Sequence, residues 1–230
     1  MDKRLIKLID ESSNIVFFGG AGVSVPSGIP DFRSNTGIYS KSPEYMLSYE
    51  FFCENPREFS KFYKSNLVYL DAKPNKAHIV LANLEKKGKL KAVITQNIDN
   101  LHQLAGSKNV IELHGSLYRQ YCINCHKKYS IYDVVLDSEI SRCTCGGIIR
   151  PDITLYGEAL DMKSSLKAIE YIEQADLLII AGTSLSVYPA NTYIRYFRGR
   201  NIVLINKTKT SSDYIADLLI HDDIEKVLGE

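Results

Sequence analysis

The chain has 230 residues, 45% of them hydrophobic, and a formal net charge of +1. That length suits one α/β domain with a small satellite, and the apolar content can fill a sizeable core. The balanced charge excludes broad electrostatic attraction to nucleic acid or membrane, and no apolar run approaches the roughly 20 residues that span a bilayer.

Leu5, Ile6, Leu8 and Ile9 recur at helical spacing and predict an amphipathic helix over 2–12. No long apolar core with a cleavage site stands near the N-terminus, which argues against a secretory signal and for a cytoplasmic protein. A strand is predicted over 14–18, followed by a Gly/Pro/Ser loop to about residue 40. Residues 43–72 read as helical pieces broken at Pro43 and Pro56. Asn75 to Lys87 predicts a helix with Ala77, Val80, Leu81 and Leu84 on one face. Ala92–Ile94, Val110–Leu113, Leu177–Ile180 and Ile202–Ile205 read as strands covered on both faces, because they are almost continuously apolar. Helices are predicted over 161–174 and 189–198, the second opened by Pro189. This alternation predicts an α/β fold with a Rossmann-like, doubly wound parallel sheet.

Four of the five cysteines form two close pairs, Cys122-x-x-Cys125 and Cys143-x-Cys145. Four thiolates close a tetrahedral Zn2+ sphere and leave no position for substrate, so one structural zinc ion is expected. Two redox pairs or free thiols are the other reading of the same spacing. A ribbon of this kind can bind nucleic acid. However, Arg119, Lys127, Lys128, Arg142 and Arg150 are mixed with Asp133, Asp137 and Glu139, which is no basic stripe. Cys53 stands beside Phe51 and Phe52 and reads as a buried core residue.

Polar clusters follow each predicted strand: Gly20 to Arg33, Thr95 to His102, His114-Gly115, Gly182 to Ser186, and Asn206 to Thr208. One cluster could be turn chemistry; five at one edge of a parallel sheet mark a ligand site. Gly20-x-Gly22 lets backbone N–H groups approach a phosphate, but Val25 stands where the usual dinucleotide fingerprint has its third glycine. The loop then runs directly into Pro30-Asp31-Phe32-Arg33, with no crossover helix expected there.

These motifs, with Pro151 to Glu158, occur in an order that resembles the sirtuins, NAD-dependent protein deacylases, over nearly the whole chain. The chain is similar to the compact bacterial members. The resemblance implies a Rossmann-like NAD-binding domain of residues 1–40, 75–115 and 150–230. It implies a small domain of a helical insertion, 41–74, and a zinc module, 116–149. NAD would be the co-substrate, an acetylated-lysine protein or peptide the partner, and nicotinamide a product that inhibits. By position, Gly20, Ala21, Gly22, Val25, Asp31, Phe32 and Arg33 would contact NAD. Gln96 would lie by the nicotinamide ribose, with Asn97, Ile98 and Asp99 lining the nicotinamide pocket. Gly182, Thr183, Ser184, Asn206 and Lys207 would hold the adenosine half, closed near Asp222 and Asp223. His114 would be the base, with Asn97 the second catalytic residue. Ile153 and Leu155 would line the lysine tunnel, and Gly157, Glu158 and Val187 would meet the peptide backbone.

An unshifted histidine near pKa ~6.5 suits proton abstraction at neutral pH, and that value is expected for His114. His78, His102 and His221 are expected only to pack. One sirtuin class uses a Tyr-x-x-Arg pair to hold succinyl or malonyl groups. Here Tyr63 is followed by Asn66, so acetyl-lysine is the expected substrate. The alternatives are a desuccinylase or other deacylase, a protein ADP-ribosyltransferase or NAD hydrolase using the same site, and a non-catalytic NAD sensor.

Overall fold

A computed structural model describes residues 2–40, 43–134 and 140–229. Lys41, where the expected insertion begins, and Asp137 and Glu139 of the cysteine module lie outside these residues. Helix α1 (Lys3–Glu11) is capped by Asp2, whose carboxylate accepts from the Arg4 N–H. It buries Leu5 and Ile9 but leaves Ile6 40% exposed, so the apolar face is narrower than its spacing suggested. Strand β1 (Ile15–Gly19) follows, then the glycine loop. Next come α2 (Tyr49–Glu54), α3 (Pro56–Asn66), α4 (Lys76–Lys86), β2 (Leu90–Thr95), α5 (Leu101–Leu104) and β3 (Val110–Glu112). Pro56 starts α3 at its first turn, where a missing N–H does no harm.

Strands β4 (Gly115–Cys122), β5 (Lys128–Ser130) and β6 (Ile149–Ile153) come next. The chain finishes with α6 (Met162–Gln174), β7 (Leu177–Ala181), β8 (Asn201–Ile205), β9 (Leu218–Ile220) and α7 (Ile224–Leu228). Six parallel strands form one sheet in the order β3-β2-β1-β7-β8-β9. The chain winds outward from β1 through β2 and β3, then returns to β7 beside β1 and winds the other way. Loops therefore diverge between β1 and β7, which is where doubly wound sheets open a crevice.

Alternate strand residues serve opposite cores. Phe17, Ile179 and Val203 pack against Leu5, Ile9, Leu81, Leu84 and Leu228 of α1, α4 and α7. Val16, Phe18, Leu178 and Ile180 pack against Ala168 and Ile172 of α6 and against Ala190 and Tyr193. The helix expected over 189–198 is a 3-10 segment, Ala190–Tyr196. Asn191 and Thr192 divert polar side chains to Leu185 O and Pro189 O, which competes with α-helical pairing.

A second, antiparallel sheet, β5-β4-β6, was not anticipated as strands. Phe52, Phe59, Phe62 and Tyr63 of α2 and α3 share a core with Leu117, Ile131, Ile153 and Leu155. Cys53 is exposed, not buried: α2 turns Phe52 inward, and the next residue faces away. Arg150 of β6 is 2% exposed and forks onto Glu158 at 2.7 and 2.9 Å. Its guanidinium also lies over the Phe52 ring, 4.9 Å from the centroid.

Candidate active site and metal centre

The loops after β1 and β7 touch. Gly20 N–H donates to Ala181 O at 3.2 Å, and Gly22 N–H donates to Gly182 O at 2.8 Å. A Cβ on Gly22 would stand 2.7 Å from Gly182 Cα, and Gly182 has φ +61°, so only glycine fits this contact without strain. Above it lies a cleft of about 440 Å³. Gly20, Ala21, Gly22, Val25, Asp31, Phe32 and Arg33 line it from the first loop. Gly182, Thr183, Ser184, Asn206 and Lys207 line it from the ends of β7 and β8. Gln96, Asn97, Ile98 and His114 stand between, and Ile153, Leu155, Gly157, Glu158 and Val187 line the far side. The cleft is a backbone cradle at one end and apolar at the other. It fits a phosphate-bearing dinucleotide at the first and an uncharged chain at the second.

Asn97, 8% exposed, donates from Nδ2 to Ser24 Oγ at 3.0 Å. The Ser24 hydroxyl donates in turn to Asp99 Oδ2 at 2.6 Å, and Leu101 N–H donates to Asp99 Oδ1 at 2.9 Å. This relay fixes which way the Asn97 amide points. Asp99 is not among the residues lining the cleft; it stands behind Ser24 with both oxygens engaged. Burial raises its pKa, opposed by the Ser24 and Leu101 hydrogen bonds. Ser24 was missed in the sequence, although it sits inside the glycine loop.

His114 Nδ1 lies 3.0 Å from Gln96 O. A carbonyl only accepts, so Nδ1 carries the proton and Nε2 is left as the base. The expected unshifted pKa does not hold: burial pushes His114 below 6.5, and the Gln96 contact only partly offsets it. The imidazole is therefore neutral at pH 7.

At the other end, Asn206 Oδ1 accepts from Thr183 N–H at 3.1 Å and Nδ2 donates to Thr183 O at 3.0 Å. Gln96 Nε2 donates to Thr183 Oγ1 at 3.0 Å, so three strand ends are cross-braced. Asp223, expected over the adenine, is not among the lining residues. It pairs with Lys207 at 2.8 Å and caps α7 by accepting from Glu225 N–H, while Asp222 lines the cleft. His221 does more than pack: Nδ1 lies 3.3 Å from Asn206 O and Nε2 lies 3.2 Å from Asp213. The apolar end includes Leu47 and Leu67, which sequence reasoning missed. Tyr63 is 2% exposed in the core behind it, and Asn66 Nδ2 donates back to Phe62 O at 2.9 Å. Tyr156, inside the Pro151–Glu158 motif, also lines the cleft, as do Tyr39 and Tyr188, which no sequence motif announces.

Cys122, Cys125, Cys143 and Cys145 bring their sulfurs within 4.8 Å of one another, with two pairs at 3.5 Å. Zn–S bonds of about 2.3 Å put tetrahedral sulfurs roughly 3.8 Å apart, so the quartet fits zinc. The Cys145 backbone N–H and the Tyr129 hydroxyl hold Cys143 down to about 5. Gly147 N–H lowers Cys145, but crowding by the other three sulfurs pushes it up to about 12. Four thiols this close can all ionise only around a cation, and all four positions of that ion are filled by protein.

A Sir2 family profile matches residues 20–189. A Clostridium perfringens protein named NAD-dependent protein deacetylase is 54% identical, with 100% of this chain and 99% of that protein covered. A Staphylococcus aureus protein of the same name is 48% identical over 96% of this chain and 93% of its own length. Among solved structures, a Sir2 variant with a deacetylated p53 peptide and 3'-O-acetyl ADP ribose superposes with TM-score 0.93 at 42% identity, covering 98% of this chain and 95% of the other. Sir2 with a p53 peptide and NAD+ gives 0.89 at 42% identity, covering 99% and 95%.

Proposed function

The chain belongs to the Sir2 family, and we propose that it is an NAD-dependent protein-lysine deacetylase acting in the cytoplasm. The larger unit would comprise residues 1–40, 75–115 and 150–230, and the smaller one 41–74 with 116–149. The observation that carries the reading is His114. Its imidazole, set by Gln96 O as a base at Nε2, lines the same cleft as the glycine cradle and the apolar Ile153–Leu155 wall.

NAD would supply the ADP-ribose acceptor for the acetyl group; the nicotinamide–ribose bond and the lysine amide C–N bond break and one water is consumed, leaving nicotinamide, O-acetyl-ADP-ribose and free lysine. The phosphates lie against the turn Gly20 to Gly22, which lines the cleft and is itself braced by the Gly20 and Gly22 N–H bonds to Ala181 O and Gly182 O. Asn97, oriented through Ser24 and Asp99, holds the nicotinamide ribose region, and Gln96 lies beside it. Val25, Asp31, Phe32 and Arg33 cover the dinucleotide. Asn206 and Thr183, already bonded to one another, fix the adenosine end. The apolar side formed by Leu67, Ile98, Ile153 and Leu155 excludes water from the acetyl group. His114 Nε2 takes the proton of a ribose hydroxyl, so that this oxygen can reach the acetyl carbon. The peptide adds as a strand at Gly157–Glu158 and Val187 through its main chain. Nicotinamide rebinding near Asn97 and Ile98 inhibits. The zinc ion is structural.

The acyl preference follows from Asn66. Its amide turns back to Phe62 O, and an Asn at this position offers no guanidinium to fork onto a succinyl carboxylate. A Sir2 structure holds a propionylated peptide at 42% identity to this chain, which supports tolerance of short uncharged groups. Mass spectrometry of acetyl- and succinyl-peptides with NAD tests the whole reading. Wild type should release O-acetyl-ADP-ribose and free lysine, with succinyl turnover far lower. His114→Ala should lower deacetylation by about 10²–10⁴-fold while still binding NAD. Equal turnover in the variant removes the assigned base. ADP-ribosylated protein as the main product would move the activity to ADP-ribosyl transfer.

A further inference from the structure

Tyr156 stands where three segments meet. Its N–H donates to Leu47 O and its carbonyl accepts from Tyr49 N–H, both at 2.9 Å, so its backbone is fixed to the turn before α2. Its hydroxyl points the other way, into the loop that follows the glycine cradle. Arg33 Nη2 donates to it at 3.1 Å, and the Tyr39 hydroxyl donates at 3.2 Å. Arg33 also pairs with Glu44 at 3.0 Å and lies over the Tyr39 ring, 5.5 Å from its centroid. Phe32 packs on the same ring at 5.3 Å. The next residues after Tyr156 are Gly157 and Glu158.

One phenol oxygen therefore links the loop assigned to NAD with the segment assigned to the peptide. Both of its lone pairs are used by that loop. We propose that Tyr156 is a positioning residue that couples the two substrates, by setting Arg33 and Tyr39 on the cofactor side from the segment that receives the acetyl-lysine peptide. The inference rests on the placement of NAD at Arg33 and of peptide at Gly157–Glu158 given above. A peptide that steadies Tyr156 steadies the loop, and a dinucleotide that steadies the loop steadies the segment around Tyr156. Thermodynamic linkage makes the two effects equal in factor.

Tyr156→Phe removes the hydroxyl and keeps the ring and both backbone hydrogen bonds. The test is calorimetric titration of a non-reactive carbocyclic NAD analogue, with and without acetyl-lysine peptide, and the reverse titration. In wild type each ligand should tighten the other by the same factor, about tenfold. In Tyr156→Phe both factors should fall to within about twofold of one, with Tm moved by less than about 2 °C. Loss of a packing residue alone would lower Tm and leave the two factors intact. Tyr39→Phe leaves the Arg33–Tyr156 bond and should lose only part of the coupling; it carries the test if Tyr156→Phe folds poorly. A wild-type factor near one, an unchanged factor in Tyr156→Phe, or an unchanged factor in Tyr39→Phe overturns the inference. Failure of wild type to bind the analogue or to deacetylate would sink the proposed function instead.

Discussion

Every residue of β1 and β7 is buried, and each strand feeds two apolar cores. Among the described residues, the module around the four cysteines buries Cys122, Val134, Cys143 and Ile149 as a cluster of its own, with Tyr129 against it. Two members of that cluster are themselves metal ligands. The sheet is ordered by area removed from water, whereas the module is ordered by bonds to an ion. Ligand, pH and mutation should therefore act on the two regions separately.

The largest expected effect comes from removing the ion. Structural zinc contributes about 10–16 kcal/mol of folding energy in small metal-held domains. Chelation, or Cys143→Ala, should leave well under one zinc per chain and raise amide exchange across 116–134 and 140–149. Protection across β1, β7 and β8 should persist. Loss of protection in both regions together would show that they fold as one unit and erase the contrast. On the sheet side, Phe17 is fully buried between α4 and the strands. Phe17→Ala should destabilise by about 3–5 kcal/mol in urea unfolding, with zinc content unchanged.

A smaller effect is confined to acid. His78 is fully buried, and burial holds its pKa down to about 4. His102, whose ring centroid is 4.7 Å away, is also pushed well below its usual value by burial and then by His78. His78 Nε2 and both ring nitrogens of His102 have no hydrogen-bond partner among the described residues. The folded state thus keeps His78 neutral where the unfolded chain takes up a proton. Its contribution is fully present above about pH 6.5 and is lost as pH falls toward 4, by about 3 kcal/mol. His78→Gln should flatten the stability profile over that window; an unchanged slope would remove His78 as its cause.

The same contrast governs what could be read without coordinates. β1, β2, β7 and β8 were legible because unbroken apolar runs announce strands covered on both faces. β4 was not: a bulge between Ser116 and Gln120 breaks its alternation, and its Leu117 packs into a core shared with α2 and α3, far away in sequence. The cysteine quartet was legible from spacing because the ligands identify their own ion. The glycine loop, Gln96 to Ile98 and His114 were legible as strand-end clusters. The positions of Asp99 and Asp223 were not, because Ser24 and Lys207 claim their carboxylates across long stretches of chain. Cys53 was misjudged because aromatic neighbours say nothing about which way a helix turns its next residue.

Arg150 gives the small sheet a proofreading device. In the native pairing Arg150 lies opposite Tyr121, and its fork meets Glu158 beneath the Phe52 ring. Sliding β6 by a single step would swing that side chain to the reverse surface, away from its carboxylate. Stranding such a charge costs about 3–5 kcal/mol, which a leucine at the same place would not. A slipped β4–β6 pairing is thus disfavoured against the native register, in which Cys122 stands opposite Ile149.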